Sequence, residues 1–287
     1  MTALALGARP RGGVRTVYLW ELEKLTAQWR VRAVAAVCLL APFAFVLALK
    51  TQDTVPSDTL FGRWVHDTGY AVPLVVLGFA GQWGFPLLTS VVAGDIFASE
   101  DHHGTWQTIL TRSRTRAQIF TGKVLAAATF CVVVVALAGA GSIAAGVLLV
   151  GHQPLVALDG SLVPSGRAAE LAVLSWLCVL PPALGFTALG VLFSIATRHS
   201  AAGITGPALV GLLMQLYASL NGLGGLGWLD LVSHALLTTP FDAWHGLISA
   251  APYYRPLVEG WVVSAGYTAV CLAAGYLLLR RRDFTKG

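Results

Sequence analysis

The sequence predicts an all-α integral membrane protein with six transmembrane helices, and three observations predict it. Of 287 residues, 56% are hydrophobic and only 11% charged, with a mean hydropathy of +0.70; a soluble domain carries about 25% charged residues. Long uncharged runs recur along the chain, and roughly 20 apolar residues cross a bilayer core as a helix. The basic residues gather in alternate inter-span segments, as the orientation of a multi-pass protein requires.

By length and apolarity the spans fall at about 32–50, 70–93, 124–150, 170–197, 201–221 and 257–279. Arg9, Arg11, Arg15, Lys24, Arg30 and Arg32 precede the first span, and Arg112, Arg114, Arg116 and Lys123 lie between spans two and three. Arg198 separates spans four and five, and Arg280, Arg281, Arg282 and Lys286 follow the last. Only Lys50, Arg63, Arg167 and Arg255 fall on the other side, so both termini are expected in the cytoplasm. The same placement turns the net charge of +5 away from a nucleic-acid partner and toward membrane lipid. The apolar run Thr2 to Ala8 is followed, not preceded, by arginines, which does not fit a signal peptide.

Before the first span, Tyr18, Leu22, Leu25 and Trp29 recur at helical spacing beside Arg15, Glu23, Lys24 and Gln28. This predicts an amphipathic N-terminal helix over 14–30, either lying at the membrane interface or extending the first span into the cytoplasm. Span two carries Pro73, Gly78, Gly81, Gly84 and Pro86 around Gln82-Trp83, so it is expected inside the bundle, where neighbours can satisfy freed backbone groups. Span three offers Gly139, Gly141, Ser142, Ala145 and Gly146 as a close-packing face. Pro181-Pro182 must kink span four. The turn Arg198-His199-Ser200 makes spans four and five a tight antiparallel hairpin.

The external segment 222–256 is too broken by glycine and proline for a span, yet too apolar for a solvated loop. A re-entrant hairpin of two short helices in the outer leaflet meets both facts. Cys38, Cys131, Cys178 and Cys271 all fall inside spans and read as small apolar packing residues. His66, His152, His234 and His245 are external, and a metal site or intramembrane enzyme built on them is the least favoured class; no metal ligand or catalytic residue is expected. Gly122-Lys123 lacks the glycine five positions earlier that a phosphate-binding loop needs, so any ATP and Mg must be bound by another chain. Only Glu170 and Glu259 approach the spans, each at an external helix end, which counts against an ion-coupled carrier.

One polar, basic segment, 95–116, lies between spans two and three. Within and after it stand Glu100, Gly104-Thr105, Ile109-Leu110, Arg116, Ile119 and Gly122-Lys123. This order resembles the cytoplasmic signature of ABC-2-type transporter permeases, E-x-x-x-G-T-(apolar)-x-x-L-L-x-x-P-x-x-R-x-x-I-x-x-G-K, without insertion or deletion. Ser113 stands where proline is usual and Trp106 replaces the common leucine. Arg280-Arg281-Arg282-Asp283-Phe284 is similar to the basic stop of the family, so the likeness spans 1–287 as a single transmembrane domain.

The resemblance implies a cytoplasmic coupling helix in this loop, docked on an ATP-hydrolysing partner. Thr105 would cap that helix, Gly104 would make the turn before it, and Ile109 and Leu110 would present an apolar knob flanked by Arg112, Arg114 and Arg116. It further implies the membrane subunit of an exporter in a bacterial cytoplasmic membrane, with two ATP-binding subunits and a second permease, the same or related. Substrate would pass between spans two and five of the two halves, and Gln82, Trp83, Phe85, Gln215, Tyr217 and Asn221 would line the path. Their aromatic and amide groups suit an amphiphile such as a drug, a peptide antibiotic or a lipid. The alternative is a permease-like subunit that transmits ATP-driven motion to an extracytoplasmic partner without exporting anything.

Overall fold

The computed structural model describes residues 13–51, 59–106, 115–224, 232–249 and 252–282, with the backbone alone for 221–224. Among the described residues, six helical segments are long and apolar enough to cross a membrane: Trp29–Lys50, Ala71–Ala93, Arg116–Leu149, Ser165–Thr197, Ser200–Leu220 and Arg255–Arg281. They match the expected six, with the third beginning eight residues earlier, because Arg116 to Lys123 form two amphipathic turns ahead of the apolar stretch. Thr115 caps that helix and Gln118 completes the reciprocal box.

The bundle is organised by long-range packing. Span one lies against span three, the second half of span four against span six, and spans four and five form the expected hairpin. Its turn needs Arg198 in the left-handed region, at φ 60°. The small-residue face of span three is buried throughout, Gly139, Gly141, Ser142, Ala145 and Gly146 included. All four cysteines are buried and free.

Two spans are irregular where the sequence predicts it. Span four breaks at Val179, between helices Ser165–Cys178 and Leu180–Thr197. Pro182 has no N–H for the Cys178 carbonyl four residues back, and Trp261 of span six donates to that carbonyl at 3.3 Å. Span two opens into a π turn over Ala80–Gly84, just before Pro86, which cannot bond back to Gln82.

The N-terminal helix runs Val14–Ala27 and stops there: Gln28 adopts an extended ψ of 126°, and Trp29 begins span one. The single helix expected over 14–30 is therefore two, and Trp29 leaves the expected apolar face to stand 79% exposed. The face that does pack is Val17, Glu21 and Leu25, with Tyr18 and Leu22 partly buried beside it. It lies along span three, and Tyr18 reaches Thr129 at 2.9 Å.

On the opposite side of the bundle, Leu155–Val156 and Leu162–Val163 form a two-stranded hairpin. A 3₁₀ helix, Thr239–Leu247, packs over spans four and six with Phe241, Trp244 and Leu247 buried. Leu158 N–H bonds to the Ile248 carbonyl, tying hairpin to cover at 3.2 Å. Residues 225–231 and 250–251 of the expected external hairpin lie outside the described residues.

Candidate functional site after span two

Span two ends at Ala93, and the chain then makes a short helix, Ala98–His102. Asp95, Glu100 and Asp101 stand close together in this stretch, and each acid is tied to a different element. Glu100 is 4% exposed. Its Oε1 accepts from Lys24 of the N-terminal helix at 2.7 Å and from Lys123 of span three at 2.9 Å. Its Oε2 accepts from the Thr105 hydroxyl.

Lys123 is the deepest charge of the cluster, at 1% exposure. An ammonium has three protons to place, and Lys123 places them on Glu21 at 2.7 Å, Glu100 at 2.9 Å and the Ile96 carbonyl at 3.0 Å. It also stands 5.8 Å above the Phe97 ring. Two lysines and two glutamates thus cancel in charge, which a buried cluster requires. Burial opposes ionisation of Glu100, but the Lys123 charge and the bonds from Lys24, Thr105 and Lys123 outweigh it and hold the carboxyl down to about 2. Burial also works against the Lys24 ammonium, yet Glu100, helped by Glu21 and Asp95, raises it above its ordinary value.

The glycine before Lys123 has a physical reason. A Cβ on Gly122 would fall 2.7 Å from the Val17 side chain, so only glycine lets the N-terminal helix lie close enough for Glu21 to reach Lys123. Gly104 turns the chain at φ 63°, in the left-handed region that glycine adopts freely.

The remaining links run to the other spans. Asp95 pairs with Arg30 at the start of span one. The Phe97 and Ala98 N–H groups donate to Ser194 Oγ near the end of span four, at 3.1 and 2.9 Å. Gly94 and Gly203 of span five press backbone to backbone, a Cβ on Gly94 falling 2.2 Å from the Gly203 carbonyl carbon. Asp101 accepts from Arg282, at the end of span six, at 2.8 Å, and from the Trp106 indole at 3.0 Å. Arg116 donates to the Arg280 carbonyl at 2.6 Å. One segment of 13 residues, 94–106, continuous with span two, is thereby joined to the other five spans and to the N-terminal helix.

Of the residues singled out from sequence, Glu100, Gly104, Thr105 and Arg116 meet here. Thr105 donates to Glu100, and the helix it was expected to cap lies outside the described residues. Ile109, Leu110, Arg112 and Arg114 lie outside the described residues. Trp106 is buried, stacked 6.3 Å from Phe97, which explains a large aromatic in place of leucine. Sequence reasoning missed Glu21, Asp95 and Asp101. A carboxylate midway between Val17 and Leu25, four residues from each, was the available sign, because a buried acid demands a buried cation.

The expected pathway residues are spread over spans two and five. Gln82 is half-buried, Trp83 is 54% exposed, and Phe85 turns into the core against Trp176 and Phe241. Gln215 and Tyr217 are half-buried on span five, which packs beside the π turn; the side chain of Asn221 lies outside the described residues. His66, His152 and His234 are exposed and scattered, and among the described residues no three metal-ligating side chains come together.

No curated protein matches the chain. The family model for ABC-2 family transporter proteins matches residues 19–200, from the N-terminal helix through the segment after span two to the hairpin of spans four and five. The chain belongs to the ABC-2 transporter family, as a multi-pass membrane permease of an ABC transporter that partners with an ATP-binding subunit.

Proposed function

We propose that this permease is the membrane half of an ATP-driven exporter, moving an amphiphilic or hydrophobic substrate out of a bacterial cell. ATP and Mg are bound by two copies of the partner subunit, and a second permease, identical or related, completes the pathway between spans two and five. Both termini and the 95–116 segment face the cytoplasm, as the basic residues on that side support.

The observation that carries this reading is the attachment of residues 94–106 to every span. A force applied to the loop that follows would reach the start of span one through Arg30, span three through Lys123 and span six through Arg282. The docking residues Ile109 and Leu110 and the flanking Arg112 and Arg114 would belong to that loop, which lies outside the described residues. Glu100 is buried, so in this reading it orients the loop and does not itself touch the partner. The N-terminal helix, joined to the cluster through Glu21 and Lys24, moves with it.

Affinity purification of the tagged chain from its native membrane, with mass spectrometry of what accompanies it, tests the reading. A stoichiometric ATPase with a phosphate-binding loop is the expected companion. Its absence after gentle extraction, with an extracytoplasmic protein in its place, would favour a subunit that transmits motion without export.

A further inference from the structure

Across the bundle from the charged cluster, a cavity of about 310 Å³ lies between the outer part of span two and the 3₁₀ cover. Its walls include the Phe61 and Phe79 rings, Gln82, and Asp242, Trp244 and His245. Phe61 and Trp244 stack with centroids 6.2 Å apart. In a 3₁₀ helix residues three apart align, so Asp242 and His245 present their side chains along one edge.

Two groups here are poorly served by the protein. The Asp242 carboxylate receives only the Gln82 amide, at 3.3 Å to each oxygen, and no salt bridge reaches it among the described residues. On its other side is a second cavity of about 830 Å³, but the cation there, Arg255, is held by Glu259 at 2.6 Å. Burial pushes the Asp242 carboxyl up, against the opposing pull of His245, and burial pushes the His245 ring down. The second group is the Trp244 indole: the ring is 1% exposed, and its N–H has no partner among the described residues.

We propose that this cavity is a binding site for an organic ammonium head group carrying an acceptor oxygen close by. Aromatic faces beside a carboxylate are the chemistry that holds a substituted ammonium. The ligand's charge would neutralise Asp242, and a shift of the buried Trp244 ring on binding would turn its N–H onto the ligand's oxygen, so both underserved groups are satisfied together. The inference deepens the export reading on which it rests, naming the substrate as a cationic amphiphile met at the outer end of span two. Gln82, at the π turn, then senses occupancy through Asp242.

The test is calorimetric titration of the full-length permease in phosphatidylglycerol nanodiscs, without ATP, using butyrylcholine and its uncharged carbon isostere 3,3-dimethylbutyl butyrate. Saturable binding of butyrylcholine is expected, with the isostere roughly ten- to a hundredfold weaker, as a charge-assisted contact implies. Asp242→Asn should lose the same factor and Asp242→Glu should recover part of it. Trp244→Phe should weaken butyrylcholine severalfold and leave tetramethylammonium unchanged. Competition in phosphatidylcholine nanodiscs would assign the ammonium to a lipid head group, and its absence to a free amphiphile. Equal binding of charged and neutral probes, no saturable binding to the wild-type chain, or full binding by a folded Asp242→Asn variant overturns the site. Because binding is read without ATP, loss of the site leaves ATP-coupled export untouched, and a missing ATPase partner leaves the binding result standing.

Discussion

Replacing Lys123 by methionine probes the charged cluster at its deepest point. Methionine nearly matches the volume of the lysine stem, so the change removes one charge and three hydrogen bonds with little loss of packing. Glu100 keeps Lys24, but Glu21, 8% exposed, loses its cation. Leaving one member of a buried pair uncompensated costs about 3–5 kcal/mol. Glu21→Gln is milder, because Lys123 retains Glu100 and the Ile96 carbonyl, and about 1–2 kcal/mol is expected. With both replaced, no charge is stranded, and the double variant should be about 2 kcal/mol more stable than the two single losses predict. Denaturation of the purified permease in detergent, run as a double-mutant cycle, reads this coupling. Additivity within about 0.5 kcal/mol, or a Lys123→Met cost below about 1 kcal/mol, would refute the pairing.

Three further outcomes follow from the same geometry. Gly122→Val should push the N-terminal helix off span three and cost about 1–3 kcal/mol, seen as faster protease cleavage within Val14–Ala27; unchanged cleavage would contradict the close contact. Glu100 is held down to about 2, so its stabilisation is complete above its ordinary value of 4.5 and is lost as pH falls from there toward 2; stability that does not fall between pH 4.5 and 2 relative to Glu100→Gln would contradict it. Trp261→Phe should cost about 1 kcal/mol by stranding the Cys178 carbonyl, measured by thermal unfolding, and a neutral effect would show that another donor serves it.

The six spans were legible because each is a local statement: enough apolar residues in a row, punctuated by charge. The Pro181-Pro182 break and the Arg198 turn were equally local. The end of the N-terminal helix was not, since nothing in Ala27-Gln28-Trp29 forbids a helix and only the direction of span one imposes the break. The signature residues Glu100 and Lys123 are buried and face each other, a contact across 23 positions that their order along the chain does not record. Glu21 pairs with a residue 102 positions away, and no periodicity within either helix records that. Asp242 escaped notice because its stretch was expected as a re-entrant hairpin on the strength of its apolar residues, and nothing local sets one acid in it apart. Its half-buried setting arises only when that stretch folds back on span two.

Coupling requires that the segment 94–106 pass the work of ATP to the spans. The direct measurement is substrate-stimulated ATP turnover by the assembled complex carrying Glu100→Gln, with retention of the ATPase subunit scored on the same preparation. Gln keeps the shape and removes the charge that gathers Lys24, Lys123 and Thr105. The account predicts normal assembly, with turnover lowered at least about tenfold, equivalent to ~1.4 kcal/mol of lost coupling. Normal assembly with wild-type turnover would contradict it and leave the cluster a structural staple alone.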